Sequence, residues 1–146
     1  MEGQPPRLSP RLYVVILGQV VPLMTIRRSR LLLVEDDMLV RITVAMMLED
    51  EGFRVIEAGS AAEAWDLING GLEIEAVVTD VNLGHGPTGI QMVEGMRDVL
   101  PEVAIIFITG RPASMAGRRL GPREAVLTKP FQGSDISDTI RALVTH

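Results

Sequence analysis

Acidic, hydroxyl and lysine side chains follow short apolar runs at four places in this chain. Residues 35–37 are Glu-Asp-Asp, and the other three positions are Asp80, Thr109 and Lys129. Carboxylates gathered within a few ångströms repel one another, so such a cluster favours raised pKa values or the binding of a hard cation. Oxygen ligands with few histidines favour Mg²⁺. A metal, a carboxylate nucleophile, a hydroxyl and a lysine are together the parts of a phosphoryl-transfer site.

This interpretation gives each residue a role. Asp80 attacks phosphorus to form an aspartyl phosphate, and a cation held by Asp36 and Asp80 neutralises the equatorial oxygens. Thr109 and Lys129 each hold one phosphoryl oxygen, the first as a hydroxyl donor and the second as a point charge. Lys129 is the single lysine of the chain, so an ammonium group acts there or nowhere. For Asp37 alone, a solvated helix N-terminus stabilised by the helix dipole stays open as the alternative.

The composition excludes several other chemistries. The chain has 146 residues, of which 47% are hydrophobic and 23% charged, as expected for one globular domain. Cysteine is absent, which excludes disulfides, thiolate metal sites and a cysteine nucleophile, and the two histidines, His85 and His146, disfavour a histidine-rich metal site. The net charge of −5 divides into +4 for residues 1–30 and −9 for residues 31–146. The acidic body argues against a nucleic-acid surface and suits a cation or a basic partner.

Apolar runs alternate with helical periodicity from Leu31 onward, which predicts βα units on a parallel sheet. We predict about five helices and five strands, at Leu31–Val34, Arg54–Glu57, Ala76–Thr79, Val103–Ile108 and Ala125–Leu127. Right-handed crossovers then give a doubly wound, three-layer α/β domain, in which ligands bind outside the carboxyl ends of the strands. The polar residues that follow the strands should therefore meet at one face.

Capping signals and periodicity predict where the helices begin and end. The sequence S-x-x-E at residues 60–63 is a capping-box signature for the second helix. A third helix is expected to open near Thr88 and to carry Leu100 on its apolar face before Pro101 stops it. Because residues 111–121 contain proline and glycine, any helix between the fourth and fifth strands should be short and mobile.

Residues 1–27 are interpreted as an extension that precedes a domain at residues 28–146. Three prolines in residues 2–11 predict a disordered or extended lead. The apolar run at residues 12–23 is shorter than the roughly 20 residues that span a bilayer, and no signal-peptide cleavage site follows it, which favours the cytoplasm. The extension is either a loosely packed or partner-binding arm, an export signal, or a start assigned too early, with Met24 as the first residue.

Blocks of sequence around the candidate site resemble the receiver domain of two-component response regulators. They are LLVEDD at residues 32–37, VVTDVNLG around Asp80, IIFITG around Thr109 and LTKPF around Lys129. The resemblance extends over about residues 28–146 and includes all the signature blocks in order. It implies a flavodoxin-like α/β sandwich with a doubly wound five-stranded parallel sheet in the order 2-1-3-4-5.

The resemblance also implies residue roles. Asp80 is implied to be the phosphoacceptor, Thr109 the switch hydroxyl and Lys129 the phosphate-binding lysine. Mg²⁺ is the implied cofactor, and its implied ligands are Glu35, Asp36, Asp80 and the backbone carbonyl of Asn82.

Three features depart from the receiver pattern. Val126 stands three positions before Lys129, where most receivers have an aromatic residue, so Thr109 cannot be coupled to an inward-turning ring in the usual way. The loop at residues 83–89 lacks the common Met-Pro pair and is about one residue longer. Its His85 is expected to be exposed and mobile, with a position over the phosphate as the alternative. The short interval between Thr109 and Lys129 agrees with a reduced fourth helix.

The implied function is phosphorelay signal transduction. No output domain follows His146 in the sequence, so we expect a single-domain regulator that accepts phosphoryl on Asp80 from a histidine kinase or a histidine phosphotransfer protein. It is expected to signal by binding a downstream protein, with neither nucleic acid nor membrane as a partner, and to catalyse only its own phosphorylation and dephosphorylation. A homodimer is a further expectation. Its predicted face consists of helix 4 (between the fourth and fifth strands), strand 5 and helix 5, the last helix, which is expected to begin near Ser134.

Two other classes of function stay open. A phosphorylation-independent pseudo-receiver, used as an interaction module, is favoured by Val126 and by the altered loop after Asp80. An Asp-nucleophile phosphohydrolase uses the same metal and lysine chemistry. It is disfavoured by Asn82, because such enzymes commonly have a second acid two residues after the nucleophile.

Overall fold

The computed structural model describes residues 13–22 and 29–144, which form two β-sheets and four α-helices. A small antiparallel sheet consists of β1 (Tyr13–Ile16) and β2 (Gln19–Pro22). The five strands of the main sheet are parallel: β3 (Arg30–Val34), β4 (Arg54–Ala58), β5 (Ala76–Asp80), β6 (Ala104–Thr109) and β7 (Glu124–Thr128). Their order is β4-β3-β5-β6-β7, which is 2-1-3-4-5 when they are counted within this sheet.

The five predicted strands are confirmed to within one residue at each end. The three central strands are almost fully buried, and residues 31–34 have no exposed surface. A parallel strand covered by helices on both faces has a continuous apolar sequence, which explains why these runs were recognisable. Asp80 and Thr109 are the last residues of their strands.

Helices cover both faces of the main sheet and complete the three predicted layers. They are α1 (Met38–Asp50), α2 (Ala61–Asn69), α3 (Gly89–Met96) and α4 (Gly133–Val144). One apolar cluster lies between the sheet and α2 and α3, and includes Phe107 and Met92. The other lies beneath α1 and α4, and includes Leu48, Ile106 and Ile136.

Two helix predictions need correction. The described residues form four α-helices rather than about five, because the segment between β6 and β7 contains only a four-residue 3₁₀ helix, Pro112–Met115. The third helix ends at Met96, four residues before Leu100. The backbone N–H groups of Val99 and Leu100 both donate to the Met96 carbonyl, so the chain turns there. Leu100 still packs against the same apolar cluster, which accounts for the continued periodicity.

The helix caps follow the sequence signals with one difference. Thr88 and Gln91 form a complete capping box at α3. At α2, the Ser60 hydroxyl accepts from the Glu63 N–H, but the Glu63 carboxylate accepts from Gly59 at 2.7 Å instead of closing the box on Ser60.

Strands β1 and β2 were not predicted from the sequence. The two-residue turn between them has Leu17 at φ +51° and Gly18 at φ +80°, and such positive φ angles match the twist of a tight hairpin.

The interpretations of residues 2–11 and of Met24 as a start concern residues outside the described ranges. Among the helices of residues 13–22 and 29–144, none has the length and apolar character needed to cross a membrane.

Candidate phosphoryl-transfer site

The carboxyl ends of the parallel strands surround an open cleft of about 370 Å³. Because parallel strands all end at the same edge of the sheet, residues distant in sequence meet there. The cleft brings together the six residues assigned to the site: Glu35, Asp36, Asp80, Asn82, Thr109 and Lys129.

Asp80 ends the buried strand β5, and its side chain is 13% exposed. The Asn82 N–H donates to Asp80 Oδ1 at 3.0 Å, and Lys129 Nζ donates to Asp80 Oδ2 at 2.8 Å. A backbone donor and an ammonium therefore hold the two carboxylate oxygens in defined directions. Gly89 at the start of α3 packs so closely on the Asp80 carbonyl that a Cβ atom at this position would overlap it. This contact fixes the backbone of the phosphoacceptor candidate.

Glu35 and Lys129 form a second contact across the cleft, with 3.2 Å between Glu35 Oε1 and Lys129 Nζ. Burial leaves Glu35 only 2% exposed. The pKa of Glu35 is raised to about 7. Burial is the largest cause and the Asp80 carboxylate adds to it, whereas the Asp37 N–H and the Lys129 charge act in the opposite direction. For Lys129, burial would lower the pKa, but the Asp80 and Glu35 carboxylates outweigh burial and raise it above its usual value. The ammonium therefore stays charged at neutral pH.

Asp36 lines the cleft and packs against the loop that follows β5. Its Oδ2 atom is 2.8 Å from the position that a Cβ atom of Gly84 would take. Only a glycine, here at φ +75°, leaves room for this carboxylate. Asp37 caps α1, and its Oδ1 accepts from the Val40 N–H at 3.1 Å. The helix-cap alternative considered for Asp37 is therefore the observed role.

The donor set fits Mg²⁺ in its chemistry. Carboxylate oxygens from Glu35, Asp36 and Asp80 line one cleft, and hard oxygen donors are what this ion takes. Within residues 13–22 and 29–144, no three acidic or histidine side chains are already grouped closely enough to hold a metal ion. Lys129 bridges Glu35 and Asp80 in this arrangement. The assignment of Glu35, Asp36, Asp80 and the Asn82 backbone carbonyl as Mg²⁺ ligands stays a prediction.

Thr109 lines the cleft at the end of β6 and bonds to the residue two positions later. Its hydroxyl donates to the Arg111 carbonyl at 3.0 Å and accepts from the Arg111 N–H at 2.9 Å. Arg111 and Ser114 also line the cleft, and the sequence analysis did not include them. In the sequence, only their position within five residues of Thr109 could have indicated that they line the site.

The region around Val126 contains an arginine stacked on an aromatic ring. Val126 is half-buried and pairs in register with Phe107 on the neighbouring strand. The guanidinium of Arg118 lies 5.0 Å from the centroid of the Phe107 ring, within cation–π range. Arg118 also bonds Glu124 at 2.9 Å.

His85, in the loop after β5, is exposed, as expected, and is not among the described residues that line the cleft.

Comparisons with known proteins agree with this arrangement. The response regulator receiver domain family matches residues 31–141 of the chain, so the chain belongs to that family. Aerobic respiration control protein ArcA of Escherichia coli (strain K12) is 33% identical over 119 residues, which are 80% of this chain and 48% of ArcA. Sensor kinase CckA of Brucella abortus (strain 2308) is 32% identical over 122 residues, which are 80% of this chain and 12% of CckA. The chain thus spans at most about half the length of these relatives.

Solved structures share the fold. A response regulator receiver protein from Sinorhizobium medicae WSM419 matches with a TM-score of 0.74 and 27% identity, over 81% of this chain and 95% of that chain. Response regulator protein TrrA from Thermotoga maritima, solved in complex with Mg²⁺-BeF, matches with a TM-score of 0.70 and 20% identity, over 79% of this chain and 98% of that chain. These matches confirm the predicted receiver fold.

Proposed function

We propose that this chain is a phosphorelay receiver that accepts a phosphoryl group on Asp80 and signals by binding a partner protein. The observation that carries the proposal is the Asp80 carboxylate at the end of a buried strand, bonded at 2.8 Å to a lysine from 49 positions away. Membership of the receiver family supports it. A histidine kinase or a histidine phosphotransfer protein is the proposed donor, and the match to a sensor kinase agrees with that.

The proposed reaction begins with attack of an Asp80 carboxylate oxygen on phosphorus. The bond between phosphorus and the imidazole nitrogen of the donor breaks, and its electron pair leaves with the imidazole. Lys129 places its positive charge beside the phosphoryl group, and Thr109 offers a hydroxyl proton to one of its oxygens. Hydrolysis later breaks the bond between Asp80 and phosphorus, which returns the carboxylate and releases phosphate. Apart from these two steps on itself, the chain is proposed to have no catalytic activity.

Mg²⁺ is the proposed cofactor, and Glu35, Asp36 and Asp80 with the Asn82 carbonyl are its proposed ligands. Bound there, Mg²⁺ supplies positive charge that offsets the negative charge of the transferring phosphoryl group. The proposal rests on the oxygen donors of the cleft. A cytoplasmic location and a single-domain mode of action remain predictions. So does a homodimer through α4, β7 and residues 110–123, which lie between β6 and β7.

A phosphorylation-independent interaction module is the second candidate. Val126 favours it, because the side chain has no ring that could report movement of Thr109 to the surface. The phosphohydrolase alternative has no such support.

Intact-mass analysis after incubation with acetyl phosphate and Mg²⁺ tests the proposal. We expect the wild-type chain to gain one phosphoryl group and Asp80→Asn to gain none. If Asp80→Asn gains the group as well, the assignment of the phosphoacceptor is wrong. If a folded wild-type chain gains none from acetyl phosphate or from histidine kinases, the interaction module becomes the better explanation.

A further inference from the structure

Arg41 joins the first half of α1 to two other parts of the domain. Its Nη1 donates to the backbone carbonyl of Glu35 at 2.9 Å, and its Nε donates to Glu57 Oε1 at 3.1 Å. The arginine side chain is 19% exposed. One guanidinium therefore connects the loop after β3 to the end of β4, and Arg41 is not among the described residues that line the cleft.

The carbonyl that Arg41 contacts belongs to the peptide between Glu35 and Asp36. A peptide unit is planar, so a bond to its oxygen fixes the orientation of the whole unit. The two carboxylates proposed as metal ligands leave the backbone on either side of this unit. Glu35 is otherwise held by Lys129 and the Asp37 N–H at its carboxylate and by the Ala58 carbonyl at its backbone N–H. Within the hydrogen bonds described, Arg41 is the side chain that holds the Glu35 carbonyl.

We propose that Arg41 is a positioning residue for the acidic pair, which holds the Glu35–Asp36 peptide so that both carboxylates face the same cation. This inference rests on the proposed function, because it assumes that the cleft binds Mg²⁺. Arg41 itself touches neither the cation nor the phosphoryl group. Residues that orient metal ligands from outside contribute strongly to metal affinity, and their loss typically weakens it by about 10- to 100-fold.

The shape of the arginine side chain suits this role. Its planar fork presents two donors in fixed directions, one to the Glu35 carbonyl and one to the Glu57 carboxylate. A lysine has a single ammonium on a flexible stem, so it keeps the positive charge but loses the fixed pair of directions. Arg41→Lys therefore separates the charge of the residue from its geometry.

Loss of Arg41 should change Mg²⁺ affinity in opposite directions, depending on whether the residue acts through its charge or by positioning the acidic pair. Removing a positive charge close to an acidic site strengthens cation binding by Coulomb's law. Removing the bond that orients the acidic pair weakens binding. The sign of the change in Arg41→Gln therefore distinguishes the two explanations, and a loss of stability alone would leave the affinity of the folded protein unchanged.

Arg141 provides a matched control at the other end of α1. Its Nη2 donates to the backbone carbonyl of Glu51 at 2.6 Å, and its guanidinium lies 5.1 Å from the centroid of the Phe53 ring. It thus makes the same kind of arginine-to-carbonyl contact, but at the carboxyl end of the helix, away from the cleft. Arg141→Gln should affect stability without affecting the cation site.

Isothermal titration calorimetry with MgCl₂ on the full chain tests the proposal. The proteins compared are the wild type, Arg41→Gln, Arg41→Lys and Arg141→Gln, each folded and measured without denaturant. We expect Arg41→Gln to weaken Mg²⁺ binding about tenfold, Arg41→Lys to weaken it less, and Arg141→Gln to leave it unchanged. Glu57→Ala, which removes the second acceptor, should weaken it by an intermediate amount.

Unchanged or tighter Mg²⁺ binding in folded Arg41→Gln would overturn the inference, as would equal weakening in Arg141→Gln. If Arg41→Gln does not fold, Arg41→Lys decides the question, because it keeps the positive charge and changes only the geometry of the contact. Failure of the proposed function gives a different result, because the wild-type chain would then show neither Mg²⁺ binding nor phosphorylation by acetyl phosphate.

Discussion

The hydroxyl of Thr109 bonds both polar groups of the Arg111 backbone, donating to its carbonyl at 3.0 Å and accepting from its N–H at 2.9 Å. A hydroxyl has one proton to donate. If Thr109 donates that proton to a phosphoryl oxygen on Asp80, it gives up the bond to the Arg111 carbonyl. Phosphorylation therefore competes with the turn that begins residues 110–121. This segment follows the cleft directly and contains the 3₁₀ helix Pro112–Met115.

We predict that phosphorylation loosens residues 110–121 by this competition. In the wild type, amide hydrogen exchange in this segment should speed up when Mg²⁺ and beryllofluoride are added, because the Thr109 hydroxyl turns away and the Arg111 N–H loses its acceptor. In Thr109→Val, exchange should be fast already and should not change further. The measurement is hydrogen exchange followed by mass spectrometry of peptides from this segment.

Thr109→Ser is the matched control, since it keeps the hydroxyl and should behave like the wild type. Peptides from α2 report on global unfolding and should not change. Unaltered exchange in residues 110–121 of the wild type after Mg²⁺ and beryllofluoride are added would show that the hydroxyl does not link the cleft to this segment.

Removal of the Lys129 ammonium should destabilise the fold. Lys129 is 26% exposed and contacts Asp80 and Glu35, whose side chains are 13% and 2% exposed. Removing one partner of a buried ion pair leaves an uncompensated charge, and partial exposure reduces the cost, so we expect Lys129→Gln to lower the free energy of unfolding by about 2 kcal/mol. Urea unfolding at pH 8 in EDTA measures this loss.

Lys129→Arg keeps the positive charge and should lose less stability than Lys129→Gln at the same pH. Added Mg²⁺ should restore part of the stability of Lys129→Gln, since a cation then offsets the carboxylates. Equal losses in the two variants would indicate that packing of the lysine stem matters, rather than its charge.

The raised pKa of Glu35 predicts how stability changes with pH. The unfolded chain releases this proton near pH 4.5, whereas the folded protein retains it to about pH 7. The unfolded state thus binds fewer protons between these values, and the free energy of unfolding should fall as the pH rises through this interval. Relative to Glu35→Gln, the wild type should lose about 2 to 3 kcal/mol between pH 4.5 and pH 7.5 in EDTA.

Glu124 is the matched control for Glu35, because its pKa is shifted in the opposite direction. Burial alone would raise its pKa, but the Gly121 N–H and the guanidinium groups of Arg118 and Arg97 outweigh burial and lower it. The contribution of Glu124 to the free energy of unfolding should be complete above pH 4.5. It should disappear as the pH falls through the lowered pKa of this carboxylate. Urea titrations of Glu35→Gln and Glu124→Gln should therefore differ from the wild type in separate pH ranges. A common range for both variants would contradict the assignment.

The positions of Asp80, Thr109 and Lys129 could be predicted because they depend on local pattern and topology. Asp80 and Thr109 end apolar runs that are almost fully buried, and Lys129 follows the half-buried strand β7. Parallel strands bring their carboxyl ends to one edge of the sheet. Arg41 could not be predicted in the same way. Its acceptors are a backbone carbonyl in one loop and Glu57 on β4, and they meet only because α1 packs beside that strand.

The end of α3 shows where periodicity misleads. Leu100 continues the apolar spacing of Val93 and Met96, and all three pack against one cluster. The helix nevertheless ends at Met96, because burial can be satisfied from a turn as well as from a helix. Apolar spacing indicates which side chains are buried and leaves the backbone conformation undetermined. The hairpin at residues 13–22 was missed for the related reason that its turn pairs Gly18 with Leu17, a residue that seldom adopts positive φ.

A side chain at residue 84 should disturb the proposed cation site through Asp36. In Gly84→Ala, the new Cβ atom would lie 2.8 Å from Asp36 Oδ2, so the carboxylate must move. We expect Mg²⁺ affinity, measured by calorimetry, to fall about tenfold, as for loss of a contact that orients a ligand. The substitution also strains the backbone, because residue 84 has φ +75°.

Gly86→Ala separates the strain from the contact. Residue 86 lies in the same loop at φ +88°, and a Cβ atom there would have no neighbour within 4 Å. Both variants should lose about 1 kcal/mol or slightly more of unfolding free energy from the backbone strain. Only Gly84→Ala should lose Mg²⁺ affinity, because only its methyl group reaches Asp36. Equal affinities in the two variants would mean that Asp36 does not bind the cation from its present position, and the ligand set would then reduce to Glu35, Asp80 and the Asn82 carbonyl.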